Sequence, residues 1–176
     1  MPRAPVMLAF DTSTATAVIA VARGARLLAA REEPAPRAYD EGLLPRIERV
    51  LAEAGLATRD LDVVACGRGP GSFTGLRIAL ATAKGYAFGL GRPLVVVSST
   101  APLALEREAK TTVVVLDAKR GEFFAQAFAS VRPGRTAGIP RETCRTIGPA
   151  RALAEWLAAR RLPRPIALAG EGVPAA

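Results

Sequence analysis

Histidine is missing from all 176 residues of the chain, and this absence removes more chemistry than any other single feature. Within this chain it excludes every histidine-ligated metal site and every Ser-His or Cys-His catalytic pair. Cysteine is almost as scarce. Cys66 and Cys144 stand far apart with no metal-ligand spacing, and Cys66 closes an apolar run, where a small buried thiol is expected. Only Lys84, Lys110 and Lys119 are lysines, so the formal charge of +8 rests on arginine. A basic surface attracts phosphate backbones. The arginines are nonetheless scattered, with no aromatic-interleaved patch and no run beyond Arg160-Arg161, and they accompany abundant Ala, Gly and Pro as in a GC-rich coding bias. Both readings of the charge stay open, with Arg46, Arg49 and Arg77 as arginines that could reach RNA. No apolar run is long enough to span a bilayer and no secretory leader is evident, so a soluble cytoplasmic protein without a membrane partner is expected.

What is present is a chain that is 50% hydrophobic, enough to bury a core as one domain or two small ones. Val6 to Phe10, Ala17 to Ala22 and Leu27 to Glu32 read as an antiparallel meander, with a polar turn at Asp11-Thr12-Ser13-Thr14. A proline-rich loop from Pro34 to Tyr39 follows. Leu43, Leu44, Ile47, Val50, Leu51 and Ala54 then recur with helical period up to Gly55, and Pro45 implies a late start or a kink. A strand at Leu61 to Cys66, a helix at Leu76 to Leu90, a strand at Leu94 to Val97 and a short helix near Pro102 to Ala109 complete a first half. The pattern then restarts. Thr111 to Leu116 ends in Asp117, and Phe123 to Ala129 returns, so that Leu8-Ala9-Phe10-Asp11 and Val114-Val115-Leu116-Asp117 open two similar hairpins. A duplicated hairpin with turn aspartates resembles the opening of each lobe in the actin, sugar-kinase and Hsp70 (ASKHA) superfold, where the paired turns face a nucleotide. The expected class is therefore α/β, with mixed sheets and flanking helices in two lobes, residues 1–100 and a smaller lobe at 101–176.

The densest signal is Cys66 to Arg77, CGRGPGSFTGLR. Gly67, Gly69 and Gly71 free the backbone, Pro70 fixes one φ, and Ser72 or Thr74 can cap the following helix. A helix start behind glycines can cradle an anion. No Gly-Lys-Ser/Thr follows as in a P-loop, and no third glycine completes a dinucleotide fingerprint. The same loop can equally serve as a tight turn that aims the helix. That helix carries few strongly polar side chains, and it has two rows of small residues, Gly75-Ala79-Ala83-Ala87 and Ala81-Gly85-Gly89. Small rows permit close approach. The helix is expected to be covered on both sides, by its own sheet and by a neighbour.

The blocks LAFDTSTATAVIAVA, GLLPRIERVLAEAGL, GRGPGSFTGLRIALATAKGYAFGL and VVLDAKRGEFFAQAF, in this order, resemble the TsaB (YeaZ) family across most of Leu8 to Ala129. The resemblance implies the two-lobe ASKHA fold and a part in making threonylcarbamoyladenosine beside the tRNA anticodon. It implies a non-catalytic scaffold and activator that forms a homodimer when alone and pairs with the catalytic paralogue TsaD through helices of its first lobe. The ATPase TsaE joins that complex, and tRNA is engaged indirectly. The implied interface carries over to Leu44, Ile47, Leu51, Leu76, Arg77, Leu80 and Ala83. No catalytic residue, metal or cofactor is implied for this chain. Weak phosphate or anion contacts fall on Asp11, Thr12, Ser13, Gly69, Gly71 and Ser72, although DTST lacks the glycine of a kinase turn. Ile166 to Gly172 resembles the strand and turn before an adenosine-contacting helix. The alternative function is an ATP-dependent phosphotransferase or ATPase using Asp11 and Asp117. A peptidase would have only Ser72 or Cys144 as nucleophile, neither with a general base.

Overall fold

A computed structural model describes residues 3–35, 42–105, 109–129 and 141–170, organised as two compact units, Met1–Val97 and Ser98–Ala176. The bulk of the proline-rich loop, residues 106–108 of the helix expected from Pro102 to Ala109 and the Glu171-Gly172 turn lie outside the described residues; Ala109 itself is not helical.

The first unit is a five-stranded mixed sheet in the order β3-β2-β1-β4-β5. Strands β1 (Val6–Asp11), β2 (Thr16–Arg23) and β3 (Arg26–Pro34) form the meander. β4 (Val63–Gly67) runs parallel to β1, and β5 (Leu94–Val97) runs parallel to β4. Period-two alternation puts Val6, Leu8 and Phe10 on one face, where they join Ile19, Val21, Val64 and Cys66 in the core. Helices α1 (Leu43–Glu53) and α2 (Phe73–Leu90) lie side by side on that face, α1 over β2 and β3, α2 over β4, β1 and β5. Pro45 neither delays nor interrupts α1. It sits in the first turn, where a missing N–H has no intrahelical acceptor to lose. Gly55, left-handed at φ 68°, ends the helix as its N–H reaches back to the Ala52 carbonyl.

The second unit repeats the plan. β6 (Thr111–Lys119), β7 (Glu122–Ala129) and β8 (Glu142–Pro149) are antiparallel neighbours, and β9 (Ile166–Ala169) runs parallel to β6, giving the order β8-β7-β6-β9. β8 and α4 (Ala150–Ala159) are additions to the elements expected from sequence. Alternate residues of β6 feed two cores. Val114 and Leu116 pack with Phe128, Ala169 and α3 (Ala101–Leu105), while Val113 and Val115 pack with Ala125, Ala127 and the inner side of α4. This is the mixed α/β class expected, with the ASKHA-type meander duplicated. Among the described residues no helix is long and apolar enough to cross a membrane.

Candidate functional site

The β1–β2 turn and the loop before α2 are tied into one knot. The Asp11 carboxylate accepts a hydrogen bond from the Ser13 N–H at 2.6 Å, closing an Asx turn. Ser72 donates its own N–H to the Ser13 carbonyl at 2.6 Å. The Thr12 hydroxyl donates to the Gly75 carbonyl at 2.7 Å. Two glycines make this approach possible. A Cβ on Gly75 would sit 1.9 Å from the Thr12 carbonyl oxygen, and one on Gly71 would sit 2.3 Å from that of Ser13. Asp11, Thr12, Ser13, Gly71 and Ser72 are thus brought together. Gly69 turns elsewhere, at φ 89°, where a Cβ would sit 2.9 Å from Leu76 Cδ1. Gly67 closes β4 and is not among the glycines with positive φ.

Ser72, not Thr74, caps α2, accepting from the Gly75 N–H at 3.2 Å, so the helix begins at Phe73 rather than Leu76. The N–H groups of Ser13, Ser72, Gly75 and Leu76 are all engaged inside the knot. What it leaves is the Ser13 hydroxyl, buried and without a hydrogen bond among the described residues. Behind it Cys66 is buried, and desolvation, helped by the charge of Asp11, pushes its thiol up in pKa. Asp117 in the second unit repeats the Asx bond, accepting from the Lys119 N–H at 2.7 Å. Its carboxyl is held below the usual range, first by the Lys119 side chain and then by that N–H. Among the described residues no group of three or more Cys, Asp and Glu side chains could hold a metal.

The expected interface residues divide. Leu44 is 53% exposed and Arg77 is exposed with its guanidinium 5.5 Å from the Phe73 ring centroid, while Leu76 and Leu80 are half-buried. Ile47 (0%), Leu51 (2%) and Ala83 (0%) lie instead in the core of their own unit. The reason is helical phase. α1 turns Leu43, Ile47, Val50 and Leu51 inward together, and the Gly75-Ala79-Ala83 row is small because the sheet and the Thr12 turn press against it. The second small row, Ala81-Gly85-Gly89, is the one that faces outward. Two large apolar residues absent from the expected set stand on that outer side, Phe73 at 73% and Phe88 at 92% exposure. Their signal was in the spacing: Phe73, Arg77, Ala81, Lys84 and Phe88 follow one another at three or four residues along one face. Arg46 and Arg49, candidates for RNA, are committed elsewhere, Arg46 buried against Pro34 and Glu33, Arg49 paired with Glu33 at 3.3 Å.

Residues 32–144 match the family model described as "TsaD: tRNA N6-adenosine threonylcarbamoyltransferase". The chain is 37% identical over 126 residues to the tRNA threonylcarbamoyladenosine biosynthesis protein TsaB of Haemophilus influenzae, covering 68% of this chain and 52% of that protein. It superposes on YeaZ from Pseudomonas aeruginosa with a TM-score of 0.74 at 32% identity, covering 96% of this chain and 76% of that one. The chain belongs to the TsaB/YeaZ family. A shorter stretch of 66 residues is 48% identical to the tRNA N6-adenosine threonylcarbamoyltransferase of Maricaulis maris, 38% of this chain and 18% of that enzyme. The chain spans about half the length of the curated TsaB relatives it matches.

Proposed function

We propose that this chain acts in threonylcarbamoyladenosine synthesis as a non-catalytic scaffold, forming a homodimer alone and activating a TsaD paralogue by docking the outer face of α2 against it. The observation that carries the reading is that outer face, where Phe73 and Phe88 stand open beside the flat Ala81-Gly85-Gly89 row. A helix that presents aromatic anchors around a strip of small residues suits close helix-to-helix packing, and desolvating those rings supplies the hydrophobic gain, about 25 cal/mol per Å² of apolar area. Leu44 on α1 extends the face. The turn-loop knot has a structural part in this reading. It fixes the first turn of α2 to β1 and β2, so that the face is presented at one angle.

Support for a non-catalytic part comes from the composition, since a chain without histidine offers no imidazole base for Ser72 or Cys144; the place in threonylcarbamoyladenosine synthesis is supported by the names of the matched relatives. TsaE is expected to join through the complex, and tRNA to be the substrate of the assembly. The test is reconstitution of tRNA modification with the cognate TsaD and TsaE, with and without this chain. Omission should abolish or severely reduce modification. An unchanged rate rejects the scaffold reading, and activity of this chain alone rejects its non-catalytic part.

A further inference from the structure

The second unit sorts its charges by end. Because β6 and β9 are parallel and β7 and β8 alternate with them, one end of the sheet gathers the starts of β6, β8 and β9 and the end of β7. The C-terminus of α4 arrives at the same end, since it leads into β9. Hydrogen bonds tie these segments together. Ala129 donates its N–H to the Arg141 carbonyl at 3.1 Å, Lys110 donates to the Pro165 carbonyl at 3.1 Å, and the Thr111 hydroxyl donates to the Pro163 carbonyl at 2.8 Å. The cationic side chains of these linked segments are Lys110, Arg141, Arg160, Arg161 and Arg164, all exposed, beside one carboxylate, Glu142. With strands spaced about 4.8 Å, the row from Arg141 across β7 and β6 to Arg164 is roughly 15 Å wide.

None of these cations has an ion pair among the described residues. Elsewhere cations are either paired, as in Arg3–Asp62, Arg31–Glu53, Lys119–Asp117, Arg145–Glu142 and Arg151–Glu155, or unpaired on segments that no hydrogen bond ties to this end, such as Arg23, Arg26 and Arg59. The Glu142 carboxylate is already engaged by Gln126 and Arg145. Arginine at a helix C-terminus also offsets the helix dipole, which accounts for Arg160 and Arg161. It does not account for Arg164, Lys110 or Arg141, which lie on other segments. Arg160 adds a planar element, its guanidinium 5.3 Å from the Trp156 ring centroid.

We propose that this end of the second unit is an RNA-binding surface, on which Lys110, Arg141, Arg161 and Arg164 meet successive phosphates and the Arg160-Trp156 stack offers a planar contact for a base. An array of unpaired cations of this width fits a regular polyanion, and release of condensed counterions supplies the favourable free energy. The surface deepens the scaffold reading and rests on it for the choice of RNA as the polyanion.

The test is fluorescence anisotropy of the full chain with a labelled, unmodified tRNA transcript, across a salt series from about 50 to about 200 mM. Affinity should fall with salt at a log-log slope of roughly −2 to −4, at about 0.7 to 0.9 per phosphate contact. The variant Lys110→Ala, Arg161→Ala, Arg164→Ala should bind about tenfold or more weakly, with the slope reduced by about 2. A charge-matched variant, Arg23→Ala, Arg26→Ala, Arg59→Ala, removes exposed arginines of the first unit and should lose less than about threefold. Thermal melts should show both variants folded, since every substituted side chain is exposed. Equal losses in the two variants would overturn the surface in favour of bulk charge, and no tRNA binding by the wild type would overturn it outright. Competition by a polyglutamate peptide as effective as that of unlabelled tRNA would assign the patch to an acidic protein and reject RNA. The scaffold reading fails by reconstitution and this surface fails by anisotropy of the chain alone, so the two failures are separable.

Discussion

The two units share a plan and diverge in how they cover it. Each is built on an antiparallel meander, each closes its first hairpin with an aspartate bonded to the N–H two residues on, and each lays its fourth strand parallel to the first. In the first unit α1 and α2 share one face of the sheet, and α2 runs for 18 residues. In the second, α3 and α4 belong to separate cores fed by alternate residues of β6. The consequence is a difference in surface. The first unit presents a long helix whose outer side carries exposed Phe73 and Phe88 around a row of small residues, the second a sheet end lined by unpaired cations. Topology is common to both, so their separate duties must reside in helix faces and loop charges.

The sharpest way to break the comparison is at the glycines that let the backbone close up. Gly75→Val should cost on the order of 4 kcal/mol or more in urea unfolding, because the new side chain meets the carbonyl of Thr12, a buried residue in the turn directly after β1 whose hydroxyl is bonded to Gly75. Gly85→Ala, on the same helix but with nothing within 4 Å, should instead stabilise by roughly 0.5–1 kcal/mol through helix propensity. If both proved neutral, the knot would not hold α2 in place.

The next contrast is between the two rows of small residues. Ala83→Leu should destabilise by about 1–3 kcal/mol through overpacking, whereas Ala81→Leu should leave the melting temperature nearly unchanged. Size-exclusion mass should respond in the opposite sense: Phe88→Glu or Ala81→Glu gives a monomer at full stability. A dimer that survives both would move the docking face elsewhere.

These rows also mark the limit of what the sequence carries. The period of Leu43, Ile47, Val50 and Leu51 and the paired turn aspartates were legible, because a buried face and an Asx turn are local demands on residue type. Which small row of α2 meets the sheet was not legible. Both consist only of glycine and alanine, and the choice is made by contact with Thr12, 63 residues away in sequence. The helix start was misjudged because Ser72 and Thr74 are both accepted caps in isolation, and it is the Ser72 N–H bond to Ser13 that fixes Ser72 as the cap. β8 hides for another reason. As an edge strand it exposes Ile147 and Arg145 while partly covering Cys144 and Thr146, so polarity does not alternate with burial. α4 did carry its signal, Leu153, Trp156 and Leu157 at helical spacing.

In the second unit the comparable internal tie is polar. The Thr100 hydroxyl donates to Gln126, whose amide nitrogen donates to Glu142 at 3.0 Å, and Ser98 lies 2.9 Å from Thr100. Thr100→Val keeps the volume and removes the donor to a Gln126 side chain that is 4% exposed. The expected loss is about 1–2 kcal/mol, read from denaturant midpoints, smaller than at Gly75 because one hydrogen bond is removed without a steric clash.

The smallest effect separates two carboxylates. Asp62, in the first unit, is held below the ordinary carboxylate range chiefly by the Val6 N–H at 2.9 Å, with Arg3 and Arg92 adding to it. Asp117, in the second, is lowered chiefly by Lys119, an exposed partner at 2.9 Å. Both pKa values are depressed by folding, so each contribution to stability is fully present above the unfolded value of about 3.9 and is lost as pH falls through the lower folded value. Salt should tell them apart. A fixed backbone dipole is screened far less than a solvent-exposed ammonium group. In a titration followed by carboxyl NMR shifts, raising the ionic strength to about 1 M, where the screening length is about 3 Å, should return Asp117 toward its ordinary value and leave Asp62 largely where it is. Equal movement of the two would mean that the Val6 bond is not what holds Asp62 down, and that the two units anchor their turns and strand ends by the same exposed ion pairs.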